Sequence, residues 1–475
     1  MSLLFNFDLA IFIGECQMLS RPNIYFCNLS LSFRGKIWFW LLFLAASGCA
    51  SYGEIKNTEI ATFDEKGSYS LKEWIKNHDT GDIRFVLTFS GGGTRAAAMS
   101  YGVLEELRDT TIQINGASKR LLDEVDVINS VSGGSFTSAF YGLHGDKIFD
   151  IFEEQFLRVD IDKPLVHSLI NPLHWFTRKG RTERTIEFYE ETLFHGATYT
   201  DMMQPGRPFI VINTSDLAYG VRFSFIQEYF NFLCSDLTDF PIARAVAASS
   251  AVPILFNPVV IENYAACGDY TSAWPEDVLE RARQDPEYAL LYNGLKSYAN
   301  KTQRKYVHFV DGGITDNMGL RAPYDVISLA GGPHAFFGNK NVKGPRHLVV
   351  ISVNASTNPV KVMDATNEQP SIAEAVSAMS GVQLHRYNTA TLELMETQFG
   401  LWAEELSPPD RKVDVHFVHV TIEDINQLEL KLFLNKIPTS FTLTDEEVDT
   451  LIKTSRSLLR ENKNFQNLLI KLNNE

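Results

Sequence analysis

From residue 83 onward, short apolar runs alternate with helix-patterned stretches, and small-residue turns sit at the junctions. Phe85-Val86-Leu87 leads into Gly91-Gly92-Gly93-Thr94-Arg95 and then a helix-patterned stretch over 96–107. A second run, Val125-Asp126-Val127-Ile128, leads into Ser130-Val131-Ser132-Gly133-Gly134 and then Phe136-Thr137-Ser138-Ala139-Phe140, again patterned as a helix. Further apolar runs over 208–213, 306–310 and 348–353 read as strands, with a helix over 243–250 ending near Pro253. Repeated strand–turn–helix punctuation leaves few architectures: a parallel or mixed sheet covered by helices on both faces.

The turn around Ser132 carries the first chemical signal. Small residues let the chain reverse sharply at a strand-to-helix junction and lift a serine hydroxyl clear of the backbone at a helix N-terminus. The Gly91–Gly93 loop lies about forty residues upstream, and Asp311-Gly312-Gly313 follows the run Tyr306-Val307-His308-Phe309-Val310. Nucleophile turn, glycine-rich donor loop and strand-end aspartate are the parts of an acyl-transfer site. The glycine loop reads poorly as a phosphate cradle, because Thr94-Arg95-Ala96 follows it where a Lys-Ser/Thr pair is needed.

This order and spacing resemble the patatin-like phospholipase family. Its pattern is a Gly-Gly-Gly-x-Arg/Lys oxyanion loop, then Gly/Ser-x-Ser-x-Gly, then Asp-Gly-Gly/Ala. Two further stretches look like it: Ala243 to Pro253, through Ala248-Ser249-Ser250-Ala251, and Gly313-Ile314-Thr315-Asp316-Asn317-Met318-Gly319. Ala96 stands where relatives often carry glycine. The resemblance spans about 83–354 and implies a three-layer α/β/α patatin-like fold of the lysophospholipase/acyl-carrier-transacylase kind. It also implies a catalytic dyad of Ser132 and Asp311, an oxyanion hole from Gly91, Gly92 and Gly93, and no metal or cofactor. The aspartate then acts as base with no histidine between. Burial that raises its proton affinity, and a helix N-terminus under the serine, make this workable. Each oxyanion donor is worth about 3 kcal/mol. Arg95 either attracts an anionic head group, braces the loop, or makes an exposed salt bridge.

Histidine is the alternative base. His308 lies three residues before Asp311, and residues three apart on a strand face opposite ways. His416 and His419 fall in an alternating run over 413–420 and read as strand positions.

The chain has 475 residues and a net charge of −15, which argues against nucleic acid and against a polybasic grip on anionic lipid. No CxxC pair or HExxH occurs. Near the N-terminus, Arg34-Gly35-Lys36, an apolar core over 37–46 and Ser47-Gly48-Cys49 describe a secretory signal. The cysteine resembles the lipobox cysteine of bacterial lipoproteins, with Ala46 where leucine is usual. The expectation is lipidation at Cys49 and residence on the cell envelope, with Ala50 pointing to the outer membrane. Residues 1–33 read as an extension from an upstream start codon, with Met18 a candidate start. Cys234 and Cys267 could form a disulfide or stay separate buried thiols.

These readings divide the chain into 1–48 (extension and signal peptide), a tether over 49–82, a hydrolase domain over 83–354 and a mainly helical extension over 355–475. The tether ends in a short helix near Leu71. Residues 151–207 interrupt the alternation with Phe152, Phe156, Trp175, Phe176, Phe188 and Tyr189, expected to pack a small core of their own. A lid or acyl-chain wall is the alternative. A second insertion covers about 262–303. In the extension, a helix over 372–399 precedes the 413–420 strand, and Thr444-Asp445-Glu446-Glu447 opens a last helix with a capping box. The expected activity is hydrolysis of fatty-acyl esters of phospholipids or similar lipids. An acyltransferase or thioesterase would use the same site, and a lipid-binding lipoprotein would keep the fold without catalysis.

Overall fold

The computed structural model describes residues 52–474, apart from 64–65, 79–80, 115, 162–178, 275–276, 338–344 and 360–361. The signal segment, Cys49, Trp175 and Phe176 lie outside the described residues. Eight strands form the main sheet: β1 (Ile83–Phe89), β2 (Val127–Val131), β3 (Phe209–Asp216), β4 (Arg222–Ser224), β5 (Val259–Glu262), β6 (Tyr306–Val310), β7 (His347–Asn354) and β8 (Asp414–Thr421). Their order is β8-β7-β1-β2-β3-β6-β5, with β4 paired to β3. The first five in that order are mutually parallel, while β6 runs antiparallel to β3 and β5.

Every residue of β3 and β7 is buried, as expected of strands covered on both faces. On β7, Val349, Ile351 and Val353 enter the main core, while Leu348 and Val350 enter a second cluster with Met395, Phe399 and Trp402. One face carries α1 (Thr94–Asp109), α2 (Gly133–His144), α3 (Ile242–Ser249) and α5 (Asp445–Glu461). The helix Arg321–Leu329 and the long α4 (Ile372–Leu406) cover the other. The result is a three-layer α/β/α sandwich with a mainly helical C-terminal region. The capping box of α5 forms in both directions between Thr444 and Glu447, and its Val448, Leu451 and Ile452 are buried.

Two local expectations change. The supposed tether is docked on the body, because Tyr69 is buried, stacks on Phe209 at 4.3 Å and hydrogen-bonds both polar groups of Ile210. The aromatic stretch after residue 151 makes no separate core: Phe152, Phe156 and Tyr189 join the common one, with Phe156 stacked on Phe136 of α2 at 4.5 Å. The region after 355 packs against the domain, and the strand expected over 413–420 forms β8 (Asp414–Thr421), which completes the sheet edge beside β7. Cys234 and Cys267 form a disulfide with a Cα–Cα distance of 5.3 Å, which ties the second insertion to the body.

Candidate active site

The register explains why residues far apart in sequence meet. Phe89 lies opposite Ser130, Ser130 opposite Ile212, and Val310 opposite Ser215. Continuing each strand puts Gly91, Ser132, Thr214 and Asp311 at one level on the carboxyl edge of the parallel strands, where α/β sheets gather their ligand-binding loops. β6 reaches this level from the opposite direction. Asp311 therefore arrives on an antiparallel strand that descends onto the edge, not from the end of another parallel strand.

Ser132 Oγ donates a hydrogen bond of 2.8 Å to Asp311 Oδ2, while the Gly313 N–H donates to Asp311 Oδ1 at 2.7 Å. Both residues are buried. Loss of water around the Asp311 carboxyl pushes its pKa up to about 6, against the two hydrogen bonds that favour the anion. Ser132 has φ of 50°, the left-handed region that a serine rarely adopts. That conformation aims the hydroxyl off the strand end, at the N-terminus of the twelve-residue α2. The two following glycines are required by contact. A Cβ on Gly133 would sit 2.0 Å from the Gly93 carbonyl oxygen, and one on Gly134 would sit 2.7 Å from the Phe89 Cβ. Their lack of side chains lets the start of α2 press directly on the glycine loop.

Within that loop the three glycines differ. The Gly91 N–H donates to the Asn317 carbonyl at 2.9 Å, so it locks the loop to the segment after Asp311 and is not free for an oxyanion. The Gly92 and Gly93 N–H groups have no acceptor among the described residues, and neither does that of Gly133 beside the serine. Gly92 and Gly93 both have positive φ, which turns their N–H groups away from the regular strand direction. The methyl of Ala96 packs beside Gly92, 3.4 Å from where a Cβ on that glycine would stand, so an alanine at 96 is accommodated.

Arg95 braces the loop. It is buried, and its guanidinium donates to the carbonyls of Ala355 at 2.8 Å and Ile437 at 2.6 Å, and to Thr439 Oγ1 at 3.1 Å. Burial lowers its pKa to about 10. It is neither an exposed ion pair nor open to a head group. Beside it, the Thr94 N–H donates to the Ser440 carbonyl at 2.9 Å. The 437–440 segment buttresses the glycine loop mainly through the backbone carbonyls of Ile437 and Ser440, which carry no residue-type signal.

His308 is exposed, pointing away from the serine as strand alternation requires. His416 contacts His347 at 3.2 Å near the amino end of β7 and β8, remote from Ser132, and burial lowers its pKa to about 4. An apolar cavity of about 80 Å³ lies under the opposite face of the sheet, among Trp74, Val127, Val350 and Phe399. Ser132 and Asp311 do not line it. Among the described residues no cluster of three or more His, Cys, Asp or Glu side chains could hold a metal ion.

A family model described as patatin-like phospholipase matches residues 87–324, half of the chain, and this span contains the glycine loop, Ser132 and Asp311. The chain belongs to the patatin-like phospholipase family. Among solved structures, human GIVD cytosolic phospholipase A2 in complex with methyl γ-linolenyl fluorophosphonate is 13% identical, with a TM-score of 0.40. That match covers 85% of this chain and 61% of the other, so this protein spans somewhat less than two thirds of its neighbour's length. VipD from Legionella pneumophila is 12% identical over 90% of this chain and 73% of its own, with a TM-score of 0.30. No curated protein matches. With likenesses this distant, the assignment rests on the domain match.

Proposed function

We propose that this protein is a lipid acyl hydrolase of the phospholipase A or lysophospholipase type, working through a Ser132–Asp311 dyad. The observation that carries this reading is the 2.8 Å hydrogen bond from Ser132 Oγ to a buried carboxylate, within a domain of the patatin-like phospholipase family. A serine hydroxyl needs a base within hydrogen-bond reach, and Asp311 is the acceptor in place.

In the proposed reaction, Ser132 Oγ attacks the ester carbonyl carbon and its proton passes to Asp311. The Gly92 and Gly93 N–H groups meet the oxyanion, while the N-terminus of α2 favours negative charge at the serine. Collapse of the tetrahedral intermediate breaks the ester C–O bond. Asp311 returns its proton to the departing alkoxide, leaving an acyl-enzyme. Water then attacks the acyl carbon while passing a proton to Asp311, and collapse breaks the bond to Ser132 Oγ, which takes that proton back as the fatty acid leaves. Phe256 stands 6.0 Å from Phe441, which in turn stands 6.3 Å from Phe136, one turn beyond the nucleophile. Phe256 and Phe441 are half-buried and supply an apolar flank suited to an acyl chain, with Phe136 buried behind them.

The reading is tested by incubating the purified protein with phospholipids, lysophospholipids and nitrophenyl esters. Release of fatty acid is the expected result. Binding of lipid without turnover on any of them would favour a non-catalytic lipid-binding protein. Release that depends on an added acyl acceptor would favour an acyltransferase.

Membrane attachment is proposed through a lipidated Cys49 on the cell envelope, on the strength of the basic–apolar–small–cysteine order over residues 34–49. No helix among the described residues is long and apolar enough to cross a membrane. Mass spectrometry of membrane-extracted protein should find an acylated Cys49 at the N-terminus. An unmodified Cys49, or residues retained ahead of it, would remove the anchor from the proposal.

A further inference from the structure

One end of a single helix touches both halves of the dyad, which stand 179 residues apart in the chain. α3 ends at Ser249, whose side chain is fully buried. The Ser132 N–H donates to Ser249 Oγ at 2.8 Å, and Ser249 Oγ donates its own proton to the Asn213 carbonyl at 2.6 Å. A hydroxyl has one proton and two lone pairs. With its proton committed to Asn213, Ser249 Oγ also accepts from Ser135 Oγ at 3.0 Å, so all three of its positions are filled. The same segment grips the aspartate through its backbone. The Gly312 N–H donates to the Ser249 carbonyl and the Asp311 N–H to the Ala251 carbonyl, each at 3.0 Å.

We propose that the Ser249 hydroxyl, with the backbone carbonyls of Ser249 and Ala251, forms a clamp that sets the separation and orientation of Ser132 and Asp311, with Ser249 a positioning residue for the nucleophile turn. The inference rests on the reading of Ser132 and Asp311 as the reacting pair. Its physical basis is the strain at Ser132. A residue held at φ of 50° relaxes unless its neighbours over-determine it, and the Ser249 hydroxyl is the acceptor that holds its N–H. Only a serine-sized hydroxyl fills this place, because the group must donate to one carbonyl while accepting from two donors in a packed site.

The neighbouring serine supplies the control. Ser250 is equally buried, yet its Oγ donates to the Val246 carbonyl at 2.8 Å within its own helix and touches neither half of the dyad. In Ser249→Ala, kcat on an ester substrate is expected to fall about 10²-fold, the scale on which an ångström of misplacement acts. KM should stay within about twofold, since ground-state binding is untouched. The rate of fluorophosphonate labelling should fall with kcat, and amide exchange over residues 130–135 should rise. Ser250→Ala should leave all four near wild type.

Equal losses in the two variants, or an unchanged kcat in Ser249→Ala, would overturn the clamp. If Ser249→Ala does not fold, Ser249→Cys carries the same test, because a thiol keeps the volume but is a weak acceptor. If the wild type hydrolyses no ester at all, the function fails, and the exchange comparison alone decides the clamp: no difference between the two variants would sink it.

Discussion

Ser132→Ala is expected to lose ester hydrolysis by about 10⁴-fold or more, the scale seen when a catalytic serine is removed from a site whose other parts remain. The Ser249 hydroxyl beside the turn is fully buried, with its proton donated to the Asn213 carbonyl. Thr94, the nearest hydroxyl on the loop, is fully buried at the start of α1. A fluorophosphonate probe should label wild-type protein at Ser132 and leave the variant unlabelled. Retention of more than a few per cent of wild-type turnover in a well-folded variant would place the nucleophile elsewhere.

Asp311→Asn should lower kcat by about 10³- to 10⁴-fold, because an amide keeps the shape of the carboxyl but cannot take the serine proton. In wild type, activity should rise with pH through about 6 as the buried carboxyl ionises and becomes a base. The stability of the fold should run the other way. The folded pKa is raised above the unfolded value of about 3.9, so the native state holds this proton more tightly. Its contribution is fully present below pH of about 4 and is lost as pH rises through about 6. A shift of this size corresponds to about 3 kcal/mol. Asp311→Asn has no such ionisation, so its stability relative to wild type should improve between pH 4 and pH 8. Urea unfolding of both proteins at the two pH values checks this. A constant difference would mean that the carboxyl ionises as easily in the folded protein as in the unfolded chain. Placing a base in a dry site thus opposes stability where it serves reactivity.

How far the site could be read from the chain varied with the kind of group involved. Ser132 and Asp311 were singled out through the order of small-residue motifs that resembles the patatin-like family, and the glycines around them are constrained by contact. Only glycine tolerates the approach of Gly133 to the Gly93 carbonyl, so the requirement is written into the residue types. Arg95 was visible as a residue but not in its role, since a guanidinium serves equally for a head group, an ion pair or a brace. Its partners are carbonyls of Ala355 and Ile437, which any residue could supply. The same holds for the Gly91 N–H, which looked like an oxyanion donor until the Asn317 carbonyl was found opposite it.

Periodicity and turn chemistry by themselves determined the layered α/β class and the order of the principal strands and helices, while the joining of Ser132, Asp311 and the glycine loop into one site followed from the resemblance to the patatin-like family. The class and the order follow from local rules: apolar spacing sets the element, small residues set the turns, and strand alternation points His308 away from Asp311. Only the tertiary structure decided the direction of β6, the docking of Tyr69, the pairing of Cys234 with Cys267, and the hold of Ser249 on the nucleophile turn. Each depends on which backbone group or side chain is brought near from a distant part of the chain. A hydrogen bond from Ser132 to a residue 117 positions away leaves no local pattern, because what specifies it is the packing of α3 against β3.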